Sequence, residues 1–302
     1  MRNSLFAPFY SVPVILLLSC SDTKREPAKE AVKVKPPVTQ PVRTTAGGGL
    51  YQSYYLAGAS SLAQLSHTLG TAKMQLVYDI NRRDLKHLKL GDTIAIPSAG
   101  DSAMIYSPFP LTLSGLDSAK KCLLVSRRVQ AFGAYEMGKL VRWGPTSTGK
   151  KATPTPERLY YMTWKSKETH STVDDSWILK WFFNLDNLDG ISLHEYDLPG
   201  YPVSHSCVRL LAEDAEWIYH WGDQWKLSTD GKTVDTNGTP VIVFGEYAYG
   251  KTPPWKKLVG DAHATDLSTD ELTAAVDKYL PRTAAPPLAK VDSTAQASIR
   301  KH

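Results

Sequence analysis

Residues 191–211 read ISLHEYDLPGYPVSHSCVRLL. An apolar run delivers His194, a loop with Pro199, Gly200 and Pro202 turns the chain back, and Ser204-His205-Ser206-Cys207-Val208-Arg209 follows before a predicted helix. Two histidines therefore flank a short loop that ends on a cysteine. A thiol attacks carbonyls only as a thiolate, and a free cysteine near pKa ~8.5 is mostly protonated at neutral pH. A neighbouring imidazole corrects this by taking the proton or by pairing with the thiolate. A helix N-terminus just after the cysteine would add its positive dipole end and free N–H groups. The stretch predicts a nucleophilic cysteine with His194 as its partner.

The 302-residue chain is long enough for one medium core plus a smaller unit. Its net charge of +5 suits an anionic partner such as an envelope polymer. No basic-aromatic interleaving marks a nucleic-acid partner. The three cysteines, Cys20, Cys122 and Cys207, are odd in number and far apart, so each is read as standing alone. Cys122 opens the strand-like run KCLLVSRRV and is expected to be a small buried hydrophobe. At the N-terminus Arg2 precedes an apolar stretch, residues 12–18, that is too short to span a bilayer and has the shape of a secretory signal. Leu17-Leu18-Ser19-Cys20 resembles a bacterial lipobox, in which the cysteine becomes the lipidated first residue. The resemblance implies a lipid-anchored envelope protein, and Ser21 implies the periplasmic face of the outer membrane in a Gram-negative cell.

The chain divides, in expectation, into a signal (1–19), a Pro- and Lys-rich tether (20–49), a small unit (50–99), a connector (100–120), a β-rich domain (121–249) and an accessory tail (250–302). In the small unit Ser60 and Ser61 are candidate caps for a helix carrying Leu62, Leu65 and Leu69. Gly70-Thr71 breaks it, a second helix carries Met74, Leu76, Val77 and Ile80, and a turn at Gly91-Asp92 leads to a strand ending at Pro97. In the large domain strands are predicted over 122–128, 129–137, 140–143, 159–164, 178–183 and 241–244, with turns at Gly133 and Gly138 and a helix over 212–221. Trp177, Trp181, Phe182 and Phe183 are read as core, and His220 and His263 as surface or packing residues. A capping box, Ser268 to Glu271, opens a helix in the tail. The fold class is α+β, mainly β in its larger part.

Two family resemblances follow. The run 62–97, with Asn81, Leu90-Gly91-Asp92 and Ile96-Pro97, resembles a LysM module, a βααβ unit that grips N-acetylglucosamine in glycans. It departs from that family where Leu56-Ala57-Gly58-Ala59 replaces the usual Gly-Asp-Thr-Leu opening. His194 and Ser204-His205-Ser206-Cys207-Val208-Arg209 resemble the signature of YkuD-type L,D-transpeptidases, with Ser147-Thr148-Gly149, the Thr153–Pro156 run and Thr239-Pro240-Val241 in the family's order. Ser206 for the usual Gly, a short 194–204 loop, and Glu157 after Thr-Pro depart from that pattern.

The YkuD resemblance implies cleavage of the bond between a third-position diamino acid and D-Ala in a peptidoglycan stem. It implies Cys207 as nucleophile, His194 as base, and the Glu195 carbonyl as the group orienting it. Backbone N–H groups around Ser206 and Cys207 would hold the oxyanion, with His205 beside the substrate. Ser204, Tyr196 and Arg209 would bind substrate or brace the loop. No cofactor is implied and no metal-ligand spacing is present. Implied partners are stem peptides, glycan and carbapenem-type inhibitors. An L,D-carboxypeptidase or other hydrolase using the same site, and a non-catalytic wall-binding lipoprotein, stay open. A papain-like peptidase is disfavoured because its cysteine precedes its histidine.

Overall fold

The computed structural model describes residues 49–98, 102–171, 173–280 and 291. The signal, Cys20 and nearly all of the tether lie outside them. No helix among the described residues is long and apolar enough to cross a membrane.

The small unit is strand, broken helix, strand. β1 (Tyr51–Tyr55) pairs antiparallel with β2 (Thr93–Pro97), and α1 (Ala59–Asn81) lies between them in sequence. α1 breaks at Gly70, where φ 73° and ψ 170° leave the helical region. The cap is Gly58, not Ser60 or Ser61. Ser61 instead accepts the Gly58 N–H at 3.0 Å, the returning half of a capping box. Asn81 sews the end of α1 to β2, accepting the Ala95 N–H and donating to the Ala95 carbonyl. Met74 and Val77 fill a core within the unit, with Leu65, Ile94 and Ile96. Leu76 and Ile80, on another face of the same helix, join the core of the larger domain.

That domain holds β3 (Cys122–Ser126), β4 (Ala131–Glu136), β5 (Lys139–Pro145), β6 (Arg158–Tyr161), β7 (Lys165–His170), β8 (Ile178–Asp186), β9 (Ile191–Glu195) and β10 (Val208–Leu210). Then come α2 (Ala212–Trp221), β11 (Lys226–Leu227), β12 (Val234–Thr236), β13 (Pro240–Phe244) and α3 (Thr269–Tyr279). One sheet runs β5-β4-β3-β13-β6, with β13 and β3 parallel; another runs β10-β9-β8-β7, with β10 and β9 parallel. The architecture is sheet-rich with few helices.

Alternation along β3 and β13 makes the five-stranded sheet apolar on both faces. Leu123, Val125, Val241 and Val243 face the four-stranded sheet and α2. Cys122, Leu124, Ile242 and Phe244 face the other way, onto Tyr106, Leu113, Trp255, Leu272 and Val276. Segments read from sequence as connector and tail thus complete the core. Full burial of each such aliphatic side chain contributes roughly 1.5–3 kcal/mol, which is why short, Pro-punctuated segments hold their places.

One further reading changes, and one strand has no signal in the sequence. Gly133 is not a turn but lies inside β4, paired with Leu124 and Trp143, with the Phe109 ring 2.8 Å from where a Cβ would stand. β7, KSKETH, carries no apolar pattern because it is an edge strand none of whose residues is fully buried. α3 begins at its predicted cap, with Ser268 Oγ accepting the Glu271 N–H at 3.1 Å.

Candidate active site

β9 and β10 are parallel neighbours in the register Val208↔Leu193 and Arg209↔His194. Leu193, Val208 and Leu210 point into the core between the sheets. Ser192, His194, Cys207 and Arg209 therefore share the opposite face, and all four line one cavity of about 410 Å³. Period-two alternation in two strands thus assembles the site, and the 196–206 loop only joins them. Cys207 sits at the head of a strand, not of a helix: β10 intervenes before α2, so no helix dipole acts directly on the sulfur.

His194 is buried, and its Nδ1 lies 2.8 Å from the Glu195 carbonyl. A carbonyl only accepts, so Nδ1 carries the proton and Nε2 is left as the basic nitrogen. Burial lowers the His194 pKa to about 4, against the pull of the Glu195 carbonyl, and Arg209 lowers it further. Crowding by protein raises the Cys207 pKa, while Ser192 and Arg209 oppose that shift. At neutral pH the resting pair is thus imidazole and thiol, both uncharged. The thiol donates to the Gly190 carbonyl at 3.3 Å and also lies 3.3 Å from Ser192 Oγ. No hydrogen bond joins His194 to Cys207 among the described residues.

The remaining predicted residues surround this pair. Ser204 Oγ donates to the Cys207 carbonyl at 2.6 Å. Ser206 takes φ 95°, a conformation that favours glycine, and its carbonyl accepts from Thr155 Oγ1 at 2.7 Å. His205 is exposed at the rim, where Lys150 Nζ donates to its Nε2 at 2.9 Å. Tyr196 stands between the Arg209 guanidinium, 4.4 Å from its ring centre, and the His194 ring at 5.9 Å. Arg209 makes no ion pair with a carboxylate among the described residues. Glu195 contributes through its backbone.

Ser147-Thr148-Gly149 runs alongside β10 and the end of the loop before it, outside the cavity lining. Ser147 bridges to Arg209, and the Thr148 carbonyl accepts the Val203 and Ser204 N–H groups. The Gly149 N–H donates to Thr155 Oγ1 at 2.9 Å, and a Cβ on Gly149 would stand 2.1 Å from the Thr153 carbonyl oxygen.

Ser192, Trp177 and Phe182 also line the cavity, although no motif in the sequence points to any of them as a site residue and the last two read as core there. The Trp177 ring lies 6.0 Å from His205 and 6.1 Å from Tyr196. The signal for Ser192 was present, since it stands two positions before His194 as Cys207 stands two before Arg209. His220 packs against Trp181, and His263 pairs with Asp266 at the surface. No group of three or more His, Cys, Asp or Glu able to hold a metal occurs among the described residues.

Residues 121–243 match the YkuD family, described as the L,D-transpeptidase catalytic domain. No curated protein matches the chain. Similar solved structures include an L,D-transpeptidase from Stackebrandtia nassauensis, 24% identical, TM-score 0.35, covering 43% of this chain and 57% of that one. One from Mycobacterium tuberculosis H37Rv is 22% identical, TM-score 0.33, covering 42% and 58%. The LdtMt1 complex with imipenem is 19% identical, TM-score 0.33, covering 41% and 59%. The chain thus spans under two thirds of these solved chains. The YkuD match ends short of both the small unit and α3.

Proposed function

We propose that the YkuD-like domain is a peptidoglycan L,D-transpeptidase with Cys207 as nucleophile. The observation that carries this reading is the shared face of β9 and β10, which sets thiol, basic imidazole and a guanidinium around one cavity. In the reaction the thiol leaves Gly190 and gives its proton to His194 Nε2. Contacts of this kind are often long without substrate and tighten in the complex. The sulfur adds to the carbonyl carbon of the third stem residue, and loop N–H groups at Ser206 and Cys207 hold the oxyanion. Collapse breaks the amide, the D-Ala amine leaves with the proton from His194, and a thioester remains. An acceptor amine then loses a proton to His194, attacks the thioester and returns the thiol. Arg209 would take a substrate carboxylate or brace the loop.

The small unit would hold the glycan strand, and Cys20 would carry a lipid anchor on the envelope. Binding to insoluble peptidoglycan, and Cys20-dependent palmitate labelling, test these two points. The catalytic reading is tested with the full chain and a disaccharide tetrapeptide. A cross-linked dimer supports transpeptidation, and tripeptide alone indicates hydrolysis with water as acceptor. Neither product, with no imipenem adduct on Cys207, overturns the reading.

A further inference from the structure

The end of α1 reaches the loop between β9, which carries His194, and β10, at whose head Cys207 stands. Arg82 caps the helix with a left-handed φ of 58° and turns Arg83 and Asp84 toward that loop. The Asp84 N–H donates to the Leu198 carbonyl at 3.0 Å. The Leu198 N–H donates back to Asp84 Oδ2 at 2.8 Å. Arg83 bridges to Pro199, and Lys86 pairs with Asp197. Gly200, at φ 89°, leaves room for Arg83: a Cβ there would stand 2.8 Å from Arg83 Nε.

This corner is itself immobilised. Arg82 is fully buried, donates from Nε to the Val129 carbonyl at 2.9 Å, and lies 5.5 Å from the Trp143 ring and 5.8 Å from the Trp255 ring. Arg83 Nη1 donates to Asp92 Oδ2 at 2.7 Å. The far end of the loop is held from within the YkuD-like domain, where Ser147 Oγ donates to the Tyr201 carbonyl at 2.7 Å. The near end is held by residues 82–86, outside the matched stretch 121–243. Leu198 is fully buried and two residues from Tyr196, the ring between Arg209 and His194. A displacement at Leu198 therefore reaches both.

We propose that Asp84 is a positioning residue for acyl transfer, acting through Leu198 to hold the 196–200 loop, so that the small unit is part of the catalytic apparatus. The proposal rests on the reading of Cys207 as nucleophile. Its energetic basis is the reciprocal backbone and side-chain pairing: without the carboxylate, a buried N–H loses its acceptor and the loop loses its register.

The test uses the full chain as wild type, Asp84→Ala, Asp84→Asn and Arg83→Ala. It measures the rate of Cys207 acylation by imipenem, kcat and KM on the tetrapeptide, thermal unfolding, and amide exchange over 196–206. Asp84→Ala is expected to acylate about ten-fold slower or worse, within the ~10²-fold that a 1 Å misplacement can cost. The loss falls in kcat more than KM, and exchange at 196–206 rises. Asp84→Asn has one acceptor for the Leu198 N–H and none left for the His87 N–H that Asp84 Oδ1 takes at 3.1 Å, and it recovers part of the rate. A folded Asp84→Ala protein acylated at the wild-type rate overturns the proposal. Should that variant not fold, Arg83→Ala decides: wild-type rates there also overturn it. Wild-type protein inert to imipenem and to stem peptide would instead overturn the functional reading. The amide exchange then still judges the clamp, and exchange unchanged by Asp84→Ala would remove it.

Discussion

His194 and Cys207 meet the cavity uncharged, so the proposed acyl transfer would start from proton transfer within the complex and not from a standing ion pair. Replacing His194 with Gln removes the Nε2 base and is expected to lower kcat/KM by ~10²–10⁴-fold, read by steady-state kinetics on the tetrapeptide. For the wild type, the acid limb of the pH profile should follow His194, whose pKa is about 4. Activity is then held from neutral pH to about pH 5 and falls below it as the imidazole protonates. The same depression bears on folding. A histidine lowered from 6.5 contributes stability present above that value and lost as pH falls toward about 4. Ser206 stores a different cost, since its φ of 95° strains a residue with a side chain. Ser206→Gly should stabilise the protein by about 1 kcal/mol after the entropy glycine adds to the unfolded chain. Thermal unfolding checks this, with acylation retained.

Among the elements, the loop of Ser147-Thr148-Gly149 depends on Thr155, whose hydroxyl accepts from Gly149 and donates to Ser206. Thr155→Val leaves a buried N–H and a carbonyl unpaired, with an expected loss of about 1–3 kcal/mol and slower acylation by imipenem, since Ser206 adjoins the proposed nucleophile, Cys207. Denaturant titration and imipenem kinetics separate the two effects. α2 carries a second liability in its first turn. Asp214 is buried, pairs with Arg142 at 2.8 Å and leaves Oδ2 without a partner. Burial raises its pKa to about 6, and burial followed by the charge of Asp214 also raises that of Asp79 in α1. A raised carboxyl contributes stability that is fully present below its unfolded value near 3.8 and is lost as pH rises through about 6. Asp214→Asn abolishes that charging, so its thermal midpoint relative to wild type should climb between pH 4 and pH 7. A difference that stays flat across that window would show that the carboxyl does not titrate there.

For the whole molecule, the family match and the folding unit have different edges. Cys122, Leu124, Ile242 and Phe244 are covered by side chains from residues 50–119 and 247–276. Glu157, a departure from the family pattern, accepts from Arg127, Lys278 and Tyr279 and so pins α3. Residues 121–249 expressed alone are therefore expected to aggregate or lack cooperative unfolding, whereas 49–280 should unfold in one transition. Calorimetry of the two fragments checks this. A soluble, cooperative 121–249 fragment would show that the outer layer is dispensable.

Local chemistry was readable along the chain. The Gly70 break, the Ser268 cap, the 212–221 helix and the strand before His194 follow from residue type and period, because each is set by neighbours within a turn or two. The order of His194, the turn residues and Cys207 is legible along the chain, but their meeting at one cavity rests on the pairing of β9 with β10. What the chain could not show was which surfaces meet. β7 has no pattern because none of its residues is fully buried, and Trp177 and Phe182 look like core until the cavity opens beside them. Residues 100–120 and 250–280 look like connectors until the second face of the five-stranded sheet needs a cover. Burial depends on partners far away in sequence, so only the tertiary structure joins the corner at Asp84 to the loop that carries Leu198.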